Sequence, residues 1–167
     1  MRAPALAAAL LIAAPLAAPT AVAQQAAPTE LTVHATDFQS ADGQAMFVLL
    51  SSAEAFERMR DGAGAEGVPP AQRPVVAGMP IDGGASGVRF TGLAPGEYAV
   101  MVVHDTNRNQ TLDRRPSPFG KSMPAEDLGV SNDYRISFPP RPPRWDDIKF
   151  AVRPGANSKS ITMGMMR

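Results

Sequence analysis

The stretch that decides the fold is residues 90–103, which read FTGLAPGEYAVMVV. At its centre, Pro95 presets its own φ and Gly96 tolerates a positive φ, so the chain turns tightly there. Residues 98–104 form the strongest strand pattern in the chain, because consecutive apolar side chains lie at their centre. A strand, a turn and a second strand in this order predict a hairpin.

Strand patterns continue outward from this hairpin. Residues 31–36 alternate apolar and polar side chains, as in a half-buried strand, and residues 45–50 form an apolar run typical of a strand covered on both faces. The 17 prolines and 14 glycines suit short strands joined by turns. The sequence therefore predicts an all-β fold, an antiparallel β-sandwich of about seven strands that is immunoglobulin-like or prealbumin-like. Further strands are predicted at 88–90, 134–138, 148–152 and 160–166, and a short helix capped by Ser52 at 53–59.

Residues 1–23 predict a secretory signal peptide. Arg2 precedes an apolar core at 5–14, and Ala21-Val22-Ala23 has the small-x-small pattern of a cleavage site. A membrane anchor is the weaker interpretation, because the apolar run is short and prolines interrupt it. We expect an exported chain, periplasmic or extracellular, without a membrane span. Its expected organisation is a linker at 24–29 and one β-sandwich domain at 30–167, with a surface insertion near 60–82 and a long loop at 105–133.

Charge and cysteine content exclude several classes of function. The 16 basic and 16 acidic side chains balance, so the chain has no net positive charge that would attract nucleic acid. The absence of cysteine excludes disulfides, thiolate zinc sites and a cysteine nucleophile. An exported protein of this kind depends on its core, or on a bound ion, for stability.

Two motifs resemble a known family. The pattern F-x-x-L-x-P-G-x-Y-x-V at 90–100 resembles the hairpin of prealbumin-like and immunoglobulin-like β-sandwiches. It continues as H-D-x-N-x-N at 104–109, then Leu112-Asp113, with G-V-S-N following at 129–132. The combination resembles an uncharacterised exported bacterial family, domain of unknown function 2141. The resemblance implies a small extracytoplasmic β-sandwich from Leu31 onward, and it brings no established activity.

This chain departs from the pattern of that family in two places. Residues 60–82 form a longer insertion than usual. Arg108 and Gln110 stand where the family often has glycines, and this departure argues against a tight loop there.

The residues that could bind a metal ion follow the strongest strand. Asp105, Asn107, Asn109 and Asp113 lie at positions 1, 3, 5 and 9 of a calcium-loop register, with Thr111 at position 7. Alternate side chains supply the oxygens that a hard cation prefers, and position 7 offers its backbone carbonyl. Position 6 is a glutamine where an EF-hand has glycine, and position 12 is a proline where it has glutamate; Glu126 or Asp127 could fold back to complete the shell. The alternative is an Asx-rich turn without an ion.

Other single side chains offer weaker candidates. His104 could meet His34 as half of a metal site, or join Asp105 and Ser131 in a triad, but a structural histidine is the simpler interpretation. The nine methionines suit core packing better than copper binding.

The function predicted from the sequence is an exported, non-enzymatic binding or accessory module. Calcium is its expected ion, and an unknown protein or glycan its partner, on a surface that includes His104, Tyr134 and Trp145. One alternative is a carbohydrate-binding module that uses Tyr134 and Trp145 as stacking platforms. Another is a hydrolase or metal-dependent enzyme that uses His104 and the acids of the loop. Fold analogy alone does not choose between them.

Overall fold

Ten β-strands and two short α-helices make up the part of the chain that the computed structural model describes, residues 28–63, 67–116, 122–136 and 139–166. The predicted signal peptide, and the predicted linker up to residue 27, lie outside these residues. Within them, no helix is long and apolar enough to cross a membrane. The strands are β1 Glu30–Thr36, β2 Gln44–Leu50, β3 Val75–Met79, β4 Ser86–Thr91, β5 Gly96–Asp105, β6 Arg114–Arg115, β7 Met123–Pro124, β8 Leu128–Val130, β9 Phe150–Val152 and β10 Ala156–Thr162; the helices are α1 Ala53–Arg60 and α2 Trp145–Ile148.

The strands pair into two main sheets and one small one. The first sheet has the order β10-β1-β4, and the second has the order β3-β2-β5-β8, with β9 also pairing with β5. The third contains only β6 and β7. The all-β prediction is confirmed. The hairpin prediction around Pro95 is wrong, because β4 and β5 lie in different sheets and the chain crosses from one sheet to the other between them. The positive φ in this connection is at Gly92, with 70°, and not at Gly96.

The central strand β5 is buried on both of its faces. Tyr98, Val100 and Val102 pack into a core between the two main sheets, which also contains Leu31 and Phe47. The alternate residues of β5 face a second apolar cluster, which α1, α2 and β8 help to form. Strand β2 is likewise buried on both faces, as its apolar run predicts. Ser52 caps α1, because its Oγ accepts a hydrogen bond from the N–H of Ala55.

The structure corrects two points of the strand prediction. The sandwich is not wholly antiparallel, because β1 and β10 pair in parallel, from Glu30 opposite Ala156 to Thr36 opposite Thr162. The described residues form ten strands rather than about seven, since short strands such as β8 carry too few residues to show a period.

Two of the predicted strands are also displaced. Residues 134–136 are not a strand, and 137–138 lie outside the described residues. The apolar alternation of this segment reflects the packing of Tyr134 and Ile136 against the second cluster. The N–H of Ile136 donates a hydrogen bond to the carbonyl of Met165. The last strand ends at Thr162, and Gly164 then takes a φ of 92°, which turns the chain.

Ser131 connects the second sheet to α2 from a fully buried position. Its Oγ accepts a hydrogen bond from the N–H of Val100 at 3.1 Å and donates one to the carbonyl of Ile148. Asn132 follows with a φ of 64°, and its Nδ2 donates to the carbonyls of Asp147 and Lys149. The G-V-S-N motif therefore satisfies backbone groups where β5 meets the segment that contains α2.

Replacing Ser131 by alanine is expected to destabilise the chain by about 1–3 kcal/mol, because the N–H of Val100 and the carbonyl of Ile148 lose a buried partner. The shift of the urea midpoint at constant slope measures this loss. Ser86→Ala is the matched control, since that hydroxyl also donates to a backbone carbonyl but is exposed. Equal losses in the two variants would contradict the role of Ser131.

Candidate functional site

Asp105 ends β5 and organises the loop that follows it. The residue is completely buried, and its Oδ2 accepts hydrogen bonds from Nε2 of Gln44 at 2.8 Å and from the N–H of Gln110 at 2.9 Å. Its Oδ1 accepts a third from the N–H of Asn109 at 3.1 Å. Burial acts to raise the pKa of this carboxyl, but these donors together outweigh burial and hold the pKa below its ordinary value. Asp105 is therefore ionised at neutral pH and joins the start of the loop to its middle.

The two asparagines of the predicted register form successive Asx turns. Oδ1 of Asn107 accepts from the N–H of Asn109 at 3.1 Å, and Oδ1 of Asn109 accepts from the N–H of Thr111 at 2.8 Å. The Nδ2 atoms of both asparagines donate to the carboxylate of Asp113, at 2.8 Å from Asn107 and 3.1 Å from Asn109. The five residues of the register thus lie on one loop, and most of them bond to one another through their side chains.

The loop turns sharply without glycine. Arg108 and Gln110 have φ values of 58° and 59°, in the left-handed region, which costs an ordinary residue about 1–2 kcal/mol. Gln110 stands at position 6, where a calcium loop of the EF-hand type requires a sharp turn. The hydrogen bond from its N–H to Asp105 offsets that cost. The missing glycine therefore does not prevent the turn.

Glu126 reaches the same loop from the segment before β8. Its Oε2 accepts a hydrogen bond from the N–H of Asp113 at 3.1 Å. Burial raises the pKa of this carboxyl, the charges of Asp105 and Asp113 raise it further, and the backbone N–H groups of Asp113 and Thr106 oppose the rise. The side chain of Asp127 instead accepts from the N–H of Leu128. Glu126, one of the two acids that could complete the shell, is therefore bonded to the loop.

The acids do not form a finished metal centre. In the described part of the chain, no group of three or more histidine or acidic side chains is placed to hold a metal ion. Asp113 is bonded to the Nδ2 atoms of Asn107 and Asn109. A cation would therefore have to displace these two donors from the carboxylate.

The loop and Glu126 both lie inside a stretch that a protein-family model matches. The model, described as "Uncharacterized protein conserved in bacteria (DUF2141)", matches residues 33–161. The chain belongs to this family. The match runs from β1 to β10 and confirms the resemblance that the motifs indicate. No curated protein and no solved structure matches the chain.

In this DUF2141 chain, His104 supports the part of the fold that surrounds the loop. It is only 3% exposed, its Nε2 lies 2.9 Å from the carbonyl oxygen of Asp42, and its ring meets Phe38 edge to face at 5.5 Å. His34 is exposed on β1 in the other sheet, so the two histidines do not form a pair. The hydroxyl of Ser131 bonds to Val100 and Ile148, so the structure does not assemble the triad either.

Tyr134 and Trp145 are half-buried beside the second apolar cluster. The Trp145 ring lies 6.5 Å from the ring of Phe56, centroid to centroid. The hydroxyl of Tyr134 donates to the carbonyl of Arg141, whose guanidinium carbon lies 5.4 Å from the tyrosine ring centroid. Both rings therefore pack against the protein on at least one side, and their use as sugar platforms stays a prediction.

Gln44 and Gly43 are the residues of this region that the sequence analysis does not select. Gln44 starts β2, pairs with Asp105 across the sheet, and donates to its carboxylate. Gly43 lies in the preceding turn, and its carbonyl accepts a hydrogen bond from Nε of Arg108 at 3.2 Å. No local pattern signals these contacts, because more than 60 residues separate the partners.

Proposed function

We propose that this chain is an exported, non-enzymatic binding or accessory module whose 105–113 loop binds calcium. The ion orders the loop and thereby a surface that a protein or glycan partner uses. The observation that carries the proposal is the folding of the loop around the ionised, buried carboxylate of Asp105, with a left-handed residue at position 6.

The chemistry of the loop supports a hard cation. Asp105 and Asp113 supply carboxylates, Asn107 and Asn109 supply amide oxygens, and Thr111 supplies a backbone carbonyl. Calcium takes six to eight oxygen ligands and tolerates irregular geometry. An all-oxygen donor set disfavours copper and structural zinc, which prefer sulfur or nitrogen.

Export is the part of the proposal that depends on residues 1–23. Their basic start, apolar core and small-x-small ending are those of a secretory signal peptide. Extracytoplasmic modules bind calcium in the 10⁻⁴–10⁻³ M range, a weak affinity that suits a loop with few acidic ligands.

The test of calcium binding is thermal unfolding in chelator and then in calcium. An ion that binds only the folded chain raises the melting temperature by mass action. At a calcium concentration 100 times Kd, the gain is about 2.7 kcal/mol, which raises the Tm of a chain of this size by roughly 5–10 °C.

Asp113→Asn removes a carboxylate of the loop and is expected to abolish this rise. Asp146→Asn is the matched control, because Asp146 is an exposed acid on α2, paired with Lys149. The rise should persist in the control. A wild-type chain whose Tm does not change up to 10 mM calcium would refute the proposed ion.

A further inference from the structure

The second sheet has an open edge at β3. This strand is the last in the order β3-β2-β5-β8, so it pairs with β2 on one side only. Its Val75 and Val76 are the exposed large hydrophobic residues of the described chain, with 51% and 54% of their surface accessible. An unpaired strand edge that carries exposed apolar side chains is a template for a further strand, and proteins normally protect it.

The hydrogen bonds of the sheet show which groups of β3 face this edge. The N–H of His104 donates to the carbonyl of Asp127, so the even-numbered residues of β5 direct their backbone groups toward β8. Alternation then directs the odd-numbered residues of β5 to β2, and the odd-numbered residues of β2 to β3. Because β2 thus bonds to the odd-numbered residues of β3, the N–H and C=O groups of Val76 and Gly78 are directed to the open edge.

Prolines limit the open edge to a short segment. Pro74 and Pro80 flank β3 at even-numbered positions, where the N–H that a proline lacks would also face the edge. The donors at the edge are therefore the N–H groups of Val76 and Gly78. Such an edge is too short for extended edge-to-edge aggregation, but it can bind a segment as short as β3 itself.

A groove lies beside β3 on each face of the sheet. On the face of the first cluster, Val75, Leu49 and Tyr98 line a groove of about 270 Å³, the Val75 groove. On the opposite face lies a groove of about 590 Å³, the Val76 groove. Its apolar lining consists mainly of Met46, Val48, Met59, Val76, Met101 and Leu112. Successive side chains of an added strand point to opposite faces of the sheet, so they would reach both grooves.

Arginine is the only charged residue type among the described residues that line these grooves. Arg73 lines the Val75 groove, and its Nε donates to the carbonyl of Val68 at 3.2 Å. Arg114 lines the Val76 groove, and its Nη2 donates to the carbonyl of Arg60 at 2.7 Å. Within the described parts of the chain, no acid forms an ion pair with either guanidinium. Both grooves are therefore complementary to an acidic occupant.

We propose that β3 receives an extended, acidic segment of a partner protein as an additional strand of the second sheet. Apolar side chains of that segment enter the Val75 and Val76 grooves, and its carboxylates bind Arg73 and Arg114. Main-chain hydrogen bonds at the edge give this mode of recognition its affinity, and grooves for alternate side chains give it specificity. A second copy of this chain fits less well, because its own β3 contains no charged residue.

This inference rests on the proposed function only in that a partner binds the chain. It names a protein strand rather than a glycan as that partner, and it does not depend on calcium. The Val76 groove also contains Gln110 and Thr111, so the proposed docking surface borders the 105–113 loop.

The test selects binders from a phage-displayed library of random linear heptapeptides on the immobilised wild-type chain. The enriched sequences are expected to combine acidic with apolar residues. A fluorescent peptide of the consensus sequence should lose affinity at least about 10-fold for Val76→Pro, which removes an edge N–H that β2 does not use. Val76→Thr is the matched control, because it keeps the N–H and the branched side chain, and its Kd should stay within about 3-fold of wild type.

Amide hydrogen exchange of the wild-type chain provides a second measurement that needs no variant. The N–H groups of Val76 and Gly78 should become protected when the peptide binds. Unchanged exchange at both amides, or equal affinity for wild type and Val76→Pro, would overturn the added strand. A peptide that binds equally well after its acids are replaced by amides would overturn the acidic partner. A wild-type dimer that Val76→Pro abolishes would assign the edge to a second copy instead.

Calcium separates this proposal from the proposed function. Val76→Pro should keep the calcium-dependent rise in Tm, whereas Asp113→Asn should keep peptide binding in chelator. A chain that binds the peptide but does not respond to calcium would refute the ion and support the added strand. A chain that responds to calcium but enriches no peptide would overturn the added strand alone.

Discussion

Replacing Gly43 by alanine is expected to destabilise the chain by about 3 kcal/mol and to lower its Tm by roughly 10 °C. Gly43 has a φ of 74°, and a Cβ built on it would lie 2.2 Å from the carbonyl oxygen of Asp105 and 2.5 Å from Cα of Thr106. Both are backbone atoms at the end of a central strand, so they cannot rotate away as a flexible side chain would. The alanine therefore adds a clash to the cost of a left-handed conformation.

Gly92→Ala is the control that separates these two costs. Gly92 has a similar φ of 70°, and no atom lies within 4 Å of its built Cβ. We expect this variant to lose about 1–2 kcal/mol, the cost of the left-handed conformation alone. Urea unfolding of both variants gives the difference directly. Losses of the same size would show that the close approach to Asp105 is not what requires glycine at position 43.

The expected effect at Gly43 reflects how the candidate loop is supported. The turn before β2 and the first residue of β2 contact the end of β5 and its loop through three polar groups. The carbonyl of Asp42 meets His104, the carbonyl of Gly43 meets Arg108, and Gln44 donates to Asp105. The loop therefore starts from a rigid base in the second sheet. Rigid elements place functional side chains more accurately than loops do.

Local sequence patterns were sufficient to predict the elements at the centre of the fold. The apolar run of β2 and the alternation of β1 each depend on neighbours in the chain, and both predictions are confirmed. The Pro95-Gly96 hairpin is not, because the two strands that it joins belong to different sheets. The parallel pairing of β1 with β10 was not predicted, because it joins residues more than 120 apart and neither strand carries a mark of its partner. The short strand β8 was missed for a different reason, since three residues cannot show a period.

The candidate loop shows the same division between local and distant information. The oxygen register at alternate positions was visible in the sequence, and all of its residues lie on one loop. The sequence offers Glu126 and Asp127 equally as completing acids, and only the structure shows that the carboxylate of Glu126 accepts a hydrogen bond from the N–H of Asp113. Position 6 is a glutamine rather than the glycine of an EF-hand, which argues against a sharp turn. In the structure, the hydrogen bond from the N–H of Gln110 to Asp105 stabilises that turn.

The second large effect is expected at Asp105 itself. Asp105→Ala should destabilise the chain by about 4 kcal/mol or more, because three donors lose a buried, charged acceptor and each such bond is worth about 1.5–3 kcal/mol. The donors are Nε2 of Gln44 and the N–H groups of Asn109 and Gln110. Urea unfolding at pH 7 in chelator measures the loss. A loss below about 1 kcal/mol would mean that water replaces the carboxylate at no cost, and would contradict this account.

The pH dependence of stability identifies the contribution of the charge. The pKa of Asp105 is lowered in the folded chain, so its ionised form contributes stability that is complete above the unfolded value and is lost as the pH falls through the folded value. Asp105→Asn keeps the shape but lacks this titration. The difference in unfolding free energy between wild type and Asp105→Asn should therefore be largest near pH 7 and should shrink below about pH 4. A difference that stays constant down to pH 2 would exclude the charge as its cause.

These expectations determine which variants can test the ion. Asp105 supports the loop whether or not a cation is present, so loss of the calcium effect in Asp105→Ala would not distinguish a missing ligand from a loop that no longer forms. Asp113 is a better probe, because the amide donors of Asn107 and Asn109 can each keep an oxygen acceptor in the Asp113→Asn variant. Calcium binding lost in Asp113→Asn, in a chain that remains folded in chelator, would assign this acid to the cation rather than to the turn.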